Sequence, residues 1–156
     1  MTAGPVEVML SGPVPAELRA AAGAALPRET GGLLLGWWDT RDAAEVIIVR
    51  HAIEVPDRRA TPTSWIRRPR AAQAELSRAL ADLSHPLLGY VGDWHSHPEA
   101  YTTSGRDRAS LLDTSLQYEH PVLLLIHLPG DEIDMTSAHA GEPRQARPHR
   151  VEGAPG

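Results

Sequence analysis

The stretch GDWHSHPEAYTTSGRDRASL, from Gly92 to Leu111, concentrates histidine, acidic and hydroxyl side chains in one part of the sequence. Side chains alternate between the two faces of an extended strand, so His95 and His97 point to the same side with Cα atoms roughly 6.6 Å apart. Pro98 ends this strand and leaves both imidazoles at its mouth, where binding sites on sheets are commonly built. The stretch therefore predicts a strand end at which two histidines converge on one metal ion.

Two residues near this pair of histidines are candidates for the third metal ligand. A catalytic zinc site usually has three protein ligands and one open position for water. Asp93 shares the face of the two histidines, but the three Cα atoms would span roughly 13 Å, too far for short side chains to surround one ion. Asp107 is better placed, because a short loop returns the chain and Asp107 lies in the first turn of the next helix. The segment 104–107 is also typical of a helix start, with Ser104 as N-cap and an acid near the positive helix end.

Two acids are candidates for a general base. Glu99 is close in sequence to the histidines, but it lies in a loop where a solvated acid is equally expected. Glu29 opens a predicted strand just before Gly31 and Gly32, whose missing side chains allow another backbone or a substrate to approach closely. The residues alone leave both acids open.

The composition restricts the class of protein. A chain of 156 residues, 42% of them apolar, is long enough for one globular domain with a core. A net charge of −5 argues against nucleic-acid binding, and the absence of cysteine excludes thiolate metal sites and cysteine proteases. The first residues resemble no signal peptide, and no apolar run is long enough for a membrane span, so a cytoplasmic protein without membrane partners is predicted.

Hydrophobic periodicity predicts alternating helices and strands. The predicted helices cover residues 15–26, 69–84 and 104–118. The predicted strands cover residues 31–39, 45–55, 87–97, 122–128 and 132–140. The proline-containing segment 56–69 has no periodicity and is predicted to be a loop. We expect one domain over residues 1–140 and a disordered tail over residues 141–156, which are rich in Gly, Pro and charge.

Several separated motifs together resemble the JAMM (MPN-plus) zinc metalloprotease family, in its prokaryotic JAB-domain type. The family's pattern is a distant Glu, then H-x-H-P, then S-x-x-D. The matching residues here are Glu29-Thr30-Gly31-Gly32, His95-Ser96-His97-Pro98, Ser104 and Asp107. The similarity extends over residues 10–140, although six residues separate His97 from Ser104 where the family usually has seven. The resemblance implies a mixed α/β (α+β) fold that is cytidine-deaminase-like, with a central mixed sheet flanked by helices.

The resemblance also implies a role for each matching residue. His95, His97 and Asp107 would bind Zn²⁺, and Glu29 would act as the acid and base that takes a proton from the zinc-bound water. Ser104 would help to stabilise the oxyanion of the tetrahedral intermediate. These roles agree with the general chemistry of zinc hydrolysis, in which the metal activates water and a nearby carboxylate moves the proton to the leaving amine.

Relatives in this family cleave after the C-terminal glycines of ubiquitin or ubiquitin-like proteins. The implied substrate is therefore the tail of a ubiquitin-like or sulfur-carrier protein, in a prokaryotic system that also contains conjugation or activating enzymes. A narrow mouth under Tyr101 and Trp65 would admit only small residues, which favours a Gly-Gly tail. We expect the tail to add as a strand to the sheet edge near the loop 56–69.

Other functions remain open on the sequence. Some family members have lost their metal ligands and act as non-catalytic scaffolds or interaction modules. This chain retains all of the histidine and acidic positions, which favours an enzyme over a scaffold. A zinc hydrolase of small molecules is a further alternative.

Overall fold

A computed structural model describes residues 4–100 and 104–149 of the chain. The helices are α1 (Val14–Ala25), α2 (Pro69–Leu83) and α3 (Gly105–Ser115). The strands are β1 (Val6–Leu10), β2 (Gly31–Arg41), β3 (Ala44–Glu54), β4 (Gly89–Ser96), β5 (Val122–His127), β6 (Ile133–His139) and β7 (Glu142–Pro148). No helix among these residues is long and apolar enough to span a membrane.

The strands form one closed sheet in the order β1-β3-β2-β4-β5-β6-β7. β2 and β3 form a long hairpin through Asp42 and Ala43, both of which have positive φ, as the tight turns of hairpins require. β4 runs parallel to β5, and the connection between them contains α3. β7 pairs with β6 on one side and with β1 on the other, which closes the barrel.

Helices cover both faces of the sheet. β5 shows the pattern clearly, because its inward residues Leu123 and Leu125 pack in the cluster that contains Leu18 of α1. Its alternate residues, including Leu124, pack against Leu111 of α3 on the other face. A strand that is buried on both faces reads as a continuous apolar run, and VLLLIH is such a run.

The structure confirms every predicted helix and strand to within a few residues and confirms a mixed α/β fold. It corrects the architecture, because the sheet closes into a barrel instead of forming an open central sheet. Every strand in the described residues has a partner strand on both sides, although β1 pairs only with Val46–Val49 of β3 and leaves the end of β3 next to the loop 56–69 unpaired on that side.

The predicted disordered tail is wrong for Glu142–Pro148, which form β7. A turn at Ala140 and Gly141, both with positive φ, returns the chain from β6. The strand is mostly exposed and is held by its ladders and by Arg144, whose Nη1 donates to Oε1 of Glu45 at 2.9 Å. Composition cannot detect such a strand, because its stability comes from backbone pairing and not from an apolar face. Residues 150–156 of the predicted tail lie outside the described part of the chain.

β1 was not predicted either. It is a short strand at the start of the chain, and it contributes Val6 and Val8 to the core between β3 and β7. Because β1 and β7 complete the barrel together, the two missed strands account for the missed closure.

Deletion of residues 142–156 should destabilise the fold strongly. The truncation exposes Val6 and Val8, and we expect the free energy of unfolding to fall by about 3 kcal/mol or more, because exposing one valine costs about 1.5 kcal/mol. Urea unfolding followed by tryptophan fluorescence measures the change. Deletion of residues 150–156 alone is the control and should leave the midpoint unchanged. Equal midpoints for the two truncations would contradict the structural role of β7.

Candidate metal centre

His95 and His97 lie at the end of β4, where the sheet reaches the mouth of the barrel. Gly31 of β2 pairs with His95 on one side, and β5 continues the sheet on the other, where the amide of His97 donates to the carbonyl of His127 at 2.9 Å. Both side chains are buried, and their ring centroids lie 5.1 Å apart. The predicted convergence of the two imidazoles is therefore present.

Asp107 reaches the same point from α3. Ser104 is the N-cap of this helix, and the two residues form a capping box in which each side chain accepts a hydrogen bond from the backbone amide of the other. Oδ1 of Asp107 lies 3.5 Å from Nε2 of His95, and Oδ2 lies 3.8 Å from Nε2 of His97. The helix cap thus fixes the backbone position from which Asp107 faces both histidines.

Glu29 reaches the histidines from the segment just before β2. Its amide donates to the carbonyl of Thr61 at 2.8 Å, and its buried carboxylate lies with Oε1 3.7 Å from Nε2 of His97. One ligand atom each from Glu29, His95 and His97 lie within 4.8 Å of one another. Glu99, the other acid considered as a base, is exposed and lies outside this group.

The chemistry of these donors fits a metal ion. Both ring nitrogens of His95 are buried and have no hydrogen-bond partner among the described residues, an arrangement that is costly unless something binds there. Burial lowers the pKa of His95 to about 4, against the opposing effect of the Asp107 carboxylate. The imidazole is therefore neutral near pH 7, the form that binds metal. Two imidazoles with nearby carboxylates suit a divalent transition metal such as zinc.

Trp65 forms one wall of the site. Its ring lies 5.9 Å from the ring of His95, and its Nε1 donates to the carbonyl of Val55 at 3.0 Å. A Cβ on Gly31 would lie 2.8 Å from this indole, and a Cβ on Gly32 would lie 1.7 Å from a β3 carbonyl oxygen. The two glycines therefore allow the close approach that the sequence predicted, of Trp65 to Gly31 and of the β3 backbone to Gly32. Tyr101, the other residue expected at the mouth, lies outside the described residues.

The loop that carries Trp65 is held by Asp57. This buried carboxylate accepts hydrogen bonds from the amides of Arg59 and Ile66 and from Nε of Arg68. Burial alone would raise the pKa of Asp57, but these donors outweigh it and hold the pKa below its usual range. The proline-containing segment is thus an ordered loop despite its lack of periodicity.

A cavity of about 190 Å³ opens beside His95 and Asp107, between α3 and the loop that carries Trp65. Arg67 and Asp93 line it as an ion pair, with Nη1 of Arg67 2.7 and 2.9 Å from the two carboxylate oxygens. Asp93 is therefore paired with Arg67 and lies outside the metal-binding group. This agrees with the sequence argument against Asp93 as a third ligand.

Sequence reasoning missed the residues that support this group. Ser96, Thr30 and Glu54 form a chain of hydrogen bonds behind Glu29, and Arg67 neutralises the charge of Asp93. Ser96 and Thr30 stand inside the recognised motifs, but nothing in their spacing indicates that they contact each other. Trp94, between Asp93 and His95 in sequence, is fully buried in the core.

We expect the purified protein to bind about one equivalent of a divalent transition metal, as three protein ligands permit. His97→Ala and Asp107→Ala should each lose most of it, because each change removes a donor from the group. Elemental analysis after dialysis measures the stoichiometry and identifies the metal. His149→Ala is the control, since His149 is also a mostly buried histidine but binds Glu7 instead. Undiminished metal in both site variants would refute the ligand assignment.

Comparison with known proteins identifies the family. Residues 11–140 match the family described as prokaryotic homologs of the JAB domain. No curated protein sequence matches the chain. Among solved structures, the solution structure of protein DSY2949 from Desulfitobacterium hafniense is similar, with a TM-score of 0.60 and 20% identity over 93% of this chain and 95% of that chain, which shows a shared fold. The family match covers most of the barrel and every residue of the metal-binding group, so this chain belongs to the prokaryotic homologs of the JAB domain.

Proposed function

We propose that the chain is a zinc-dependent metallopeptidase that hydrolyses the peptide or isopeptide bond after the C-terminal glycines of a ubiquitin-like or sulfur-carrier protein. The observation that carries this proposal is the convergence of two imidazoles, His95 and His97, and two carboxylates, Glu29 and Asp107, at one point. A scaffold protein has no need for this costly arrangement of buried polar groups.

In this proposal His95, His97 and Asp107 hold the metal, and Glu29 acts on the water beside it. Asp107 faces both imidazoles within 3.8 Å, and its helix cap holds it in place. Oε1 of Glu29 lies 3.7 Å from Nε2 of His97. Three protein ligands leave the open position that a catalytic zinc requires, with Glu29 beside it.

A bound zinc ion would supply Lewis-acid polarisation of the scissile carbonyl and would lower the pKa of a water toward neutrality. Glu29 takes a proton from the attacking water and delivers it to the leaving amine. Ser104 Oγ accepts a hydrogen bond from the amide of Asp107, so its own proton is free to be donated to the oxygen that becomes negative. Burial of Glu29 and His97 limits access of bulk water to this proton transfer.

The walls of the site favour a narrow acyl group. The indole of Trp65 lies against Gly31 and beside His95, so the approach to the metal-binding group is limited on this side. Glycines fit such a passage, since they lack the side chain that would meet the indole. We expect the tail to run along the loop that contains Thr61 and Trp65.

The variant Glu29→Gln should separate metal binding from catalysis. A neutral amide cannot accept the proton of water, so kcat should fall by about two orders of magnitude or more while the zinc content stays unchanged. Single-turnover assays with elemental analysis measure both quantities. Loss of zinc would show that Glu29 is itself a ligand, and full activity with normal zinc would show that another group is the base.

The residues of the tail should affect the rate of cleavage more than the amine leaving group does. Fusions that share one Gly-Gly tail but carry different amines after the bond should be cleaved at similar rates. Replacing the last glycine by a bulky residue should block cleavage, because the side chain would meet the wall formed by Trp65. A matched panel of tail mutants and leaving groups, compared by kcat/KM, tests both expectations. Strong selectivity for the amine with tolerance of bulky tails would reverse this view of recognition.

A further inference from the structure

We propose that Ser96 and Glu54 are positioning residues that hold Thr30 from two sides and thereby keep the neighbouring Glu29 carboxylate beside the metal-binding histidines. This inference rests on the proposed function of Glu29 as a proton carrier. We call the hydrogen-bonded group of Ser96, Thr30 and Glu54 the Thr30 clamp.

The first half of the Thr30 clamp extends the ladder between β2 and β4. The last strand pair is Gly31 with His95, and one residue further the amide of Ser96 donates to the carbonyl of Thr30 at 2.8 Å. The amide of Thr30 donates to Oγ of Ser96 at 2.9 Å, and the same hydroxyl lies 3.3 Å from the carbonyl of Thr30. A serine side chain thus completes the backbone pairing where the strands separate. Both residues are buried, so water cannot easily replace these bonds.

The second half of the Thr30 clamp comes from β3. The hydroxyl of Thr30 donates to Oε2 of Glu54 at 2.6 Å, and the short distance fits a charge-assisted hydrogen bond. One residue on, the amide of Val55 donates to the carbonyl of Gly31 at 2.9 Å. Thr30 is therefore tied to β4 by its backbone and to the end of β3 by its side chain.

The position of Glu29 follows from these bonds. Its own amide is bound by Thr61, and the next residue is fixed by the Thr30 clamp, so its backbone is held on both sides. Ser96 stands between His95 and His97 in sequence, so the strand that carries the two imidazoles also fixes the base. Displacement of a reacting group by about 1 Å can cost on the order of 100-fold in rate, which makes such a direct link useful.

The test compares Ser96→Ala with Ser115→Ala. Ser115 is a matched control, because it is also buried and its Oγ also accepts a backbone amide at 2.9 Å, from Gly141, which is not part of the Thr30 clamp. The substrate is a short peptide that ends in Gly-Gly-aminomethylcoumarin, assayed with the zinc-loaded protein. We expect Ser96→Ala to lower kcat by about 10- to 100-fold with little change in KM or zinc content, and Ser115→Ala to leave kcat unchanged. Ser96→Thr, which keeps a hydroxyl, should recover most of the rate.

Two readouts do not depend on activity. In Ser96→Ala the amide of Thr30 should lose its protection from hydrogen exchange, and a crystal structure should show Glu29 Oε1 farther from His97 Nε2 than the present 3.7 Å. If the wild-type protein hydrolyses nothing, the proposed function fails, but these two readouts still decide whether the Thr30 clamp positions Glu29.

Thr30→Val tests the contribution of Glu54, and it provides a second test if Ser96→Ala does not fold. It removes the hydroxyl that Glu54 accepts but leaves both backbone bonds to Ser96, so kcat should fall by less than in Ser96→Ala. A folded, zinc-loaded Ser96→Ala with normal kcat would overturn the proposal, as would an equal loss of kcat in Ser115→Ala. A normal kcat in Thr30→Val would overturn the role of Glu54.

Discussion

The pairing of β2 with β4 is the interaction on which the candidate site depends. It places Thr30 against Ser96, 66 residues apart in sequence, and so brings Glu29 beside His95 and His97. The pairing requires close contact between backbones, and Gly31 allows this, because a Cβ there would lie 2.6 Å from the carbonyl oxygen of Trp94 in β4. The glycines after Glu29 are therefore part of the construction of the site, although no glycine contributes a ligand.

A second, local interaction supplies the remaining acid. The capping box of α3 uses the Asp107 carboxylate to bind the amide of Ser104, and the same carboxylate faces the two imidazoles. One side chain thus starts the helix and completes the metal-binding group. The box forms although the loop before Ser104 is one residue shorter than the family usually has.

The rest of the fold supports the strand that carries the site and buries the site away from water. β5 is buried on both faces between α1 and α3, and it supports the end of β4 through the bond from His97 to His127. Closure by β7 and β1 leaves no edge strand in the described residues and encloses the core around Trp94. Burial of His95 in this setting keeps its imidazole neutral, which is the electrostatic condition for binding a metal cation.

The sequence by itself determined the local features of this protein. Alternation along β4 placed His95 and His97 on one face, helical spacing located the helices, and the Ser104–Asp107 pattern specified the helix cap, because each depends on neighbours within a few residues. Only the tertiary structure decided the features that depend on long-range contacts. The short strand β1 and the polar strand β7 gain stability from partners far along the chain, so their residues alone predicted neither them nor the barrel closure. The same holds for Ser96 and Glu54, whose contacts with Thr30 exist only after three strands have come together.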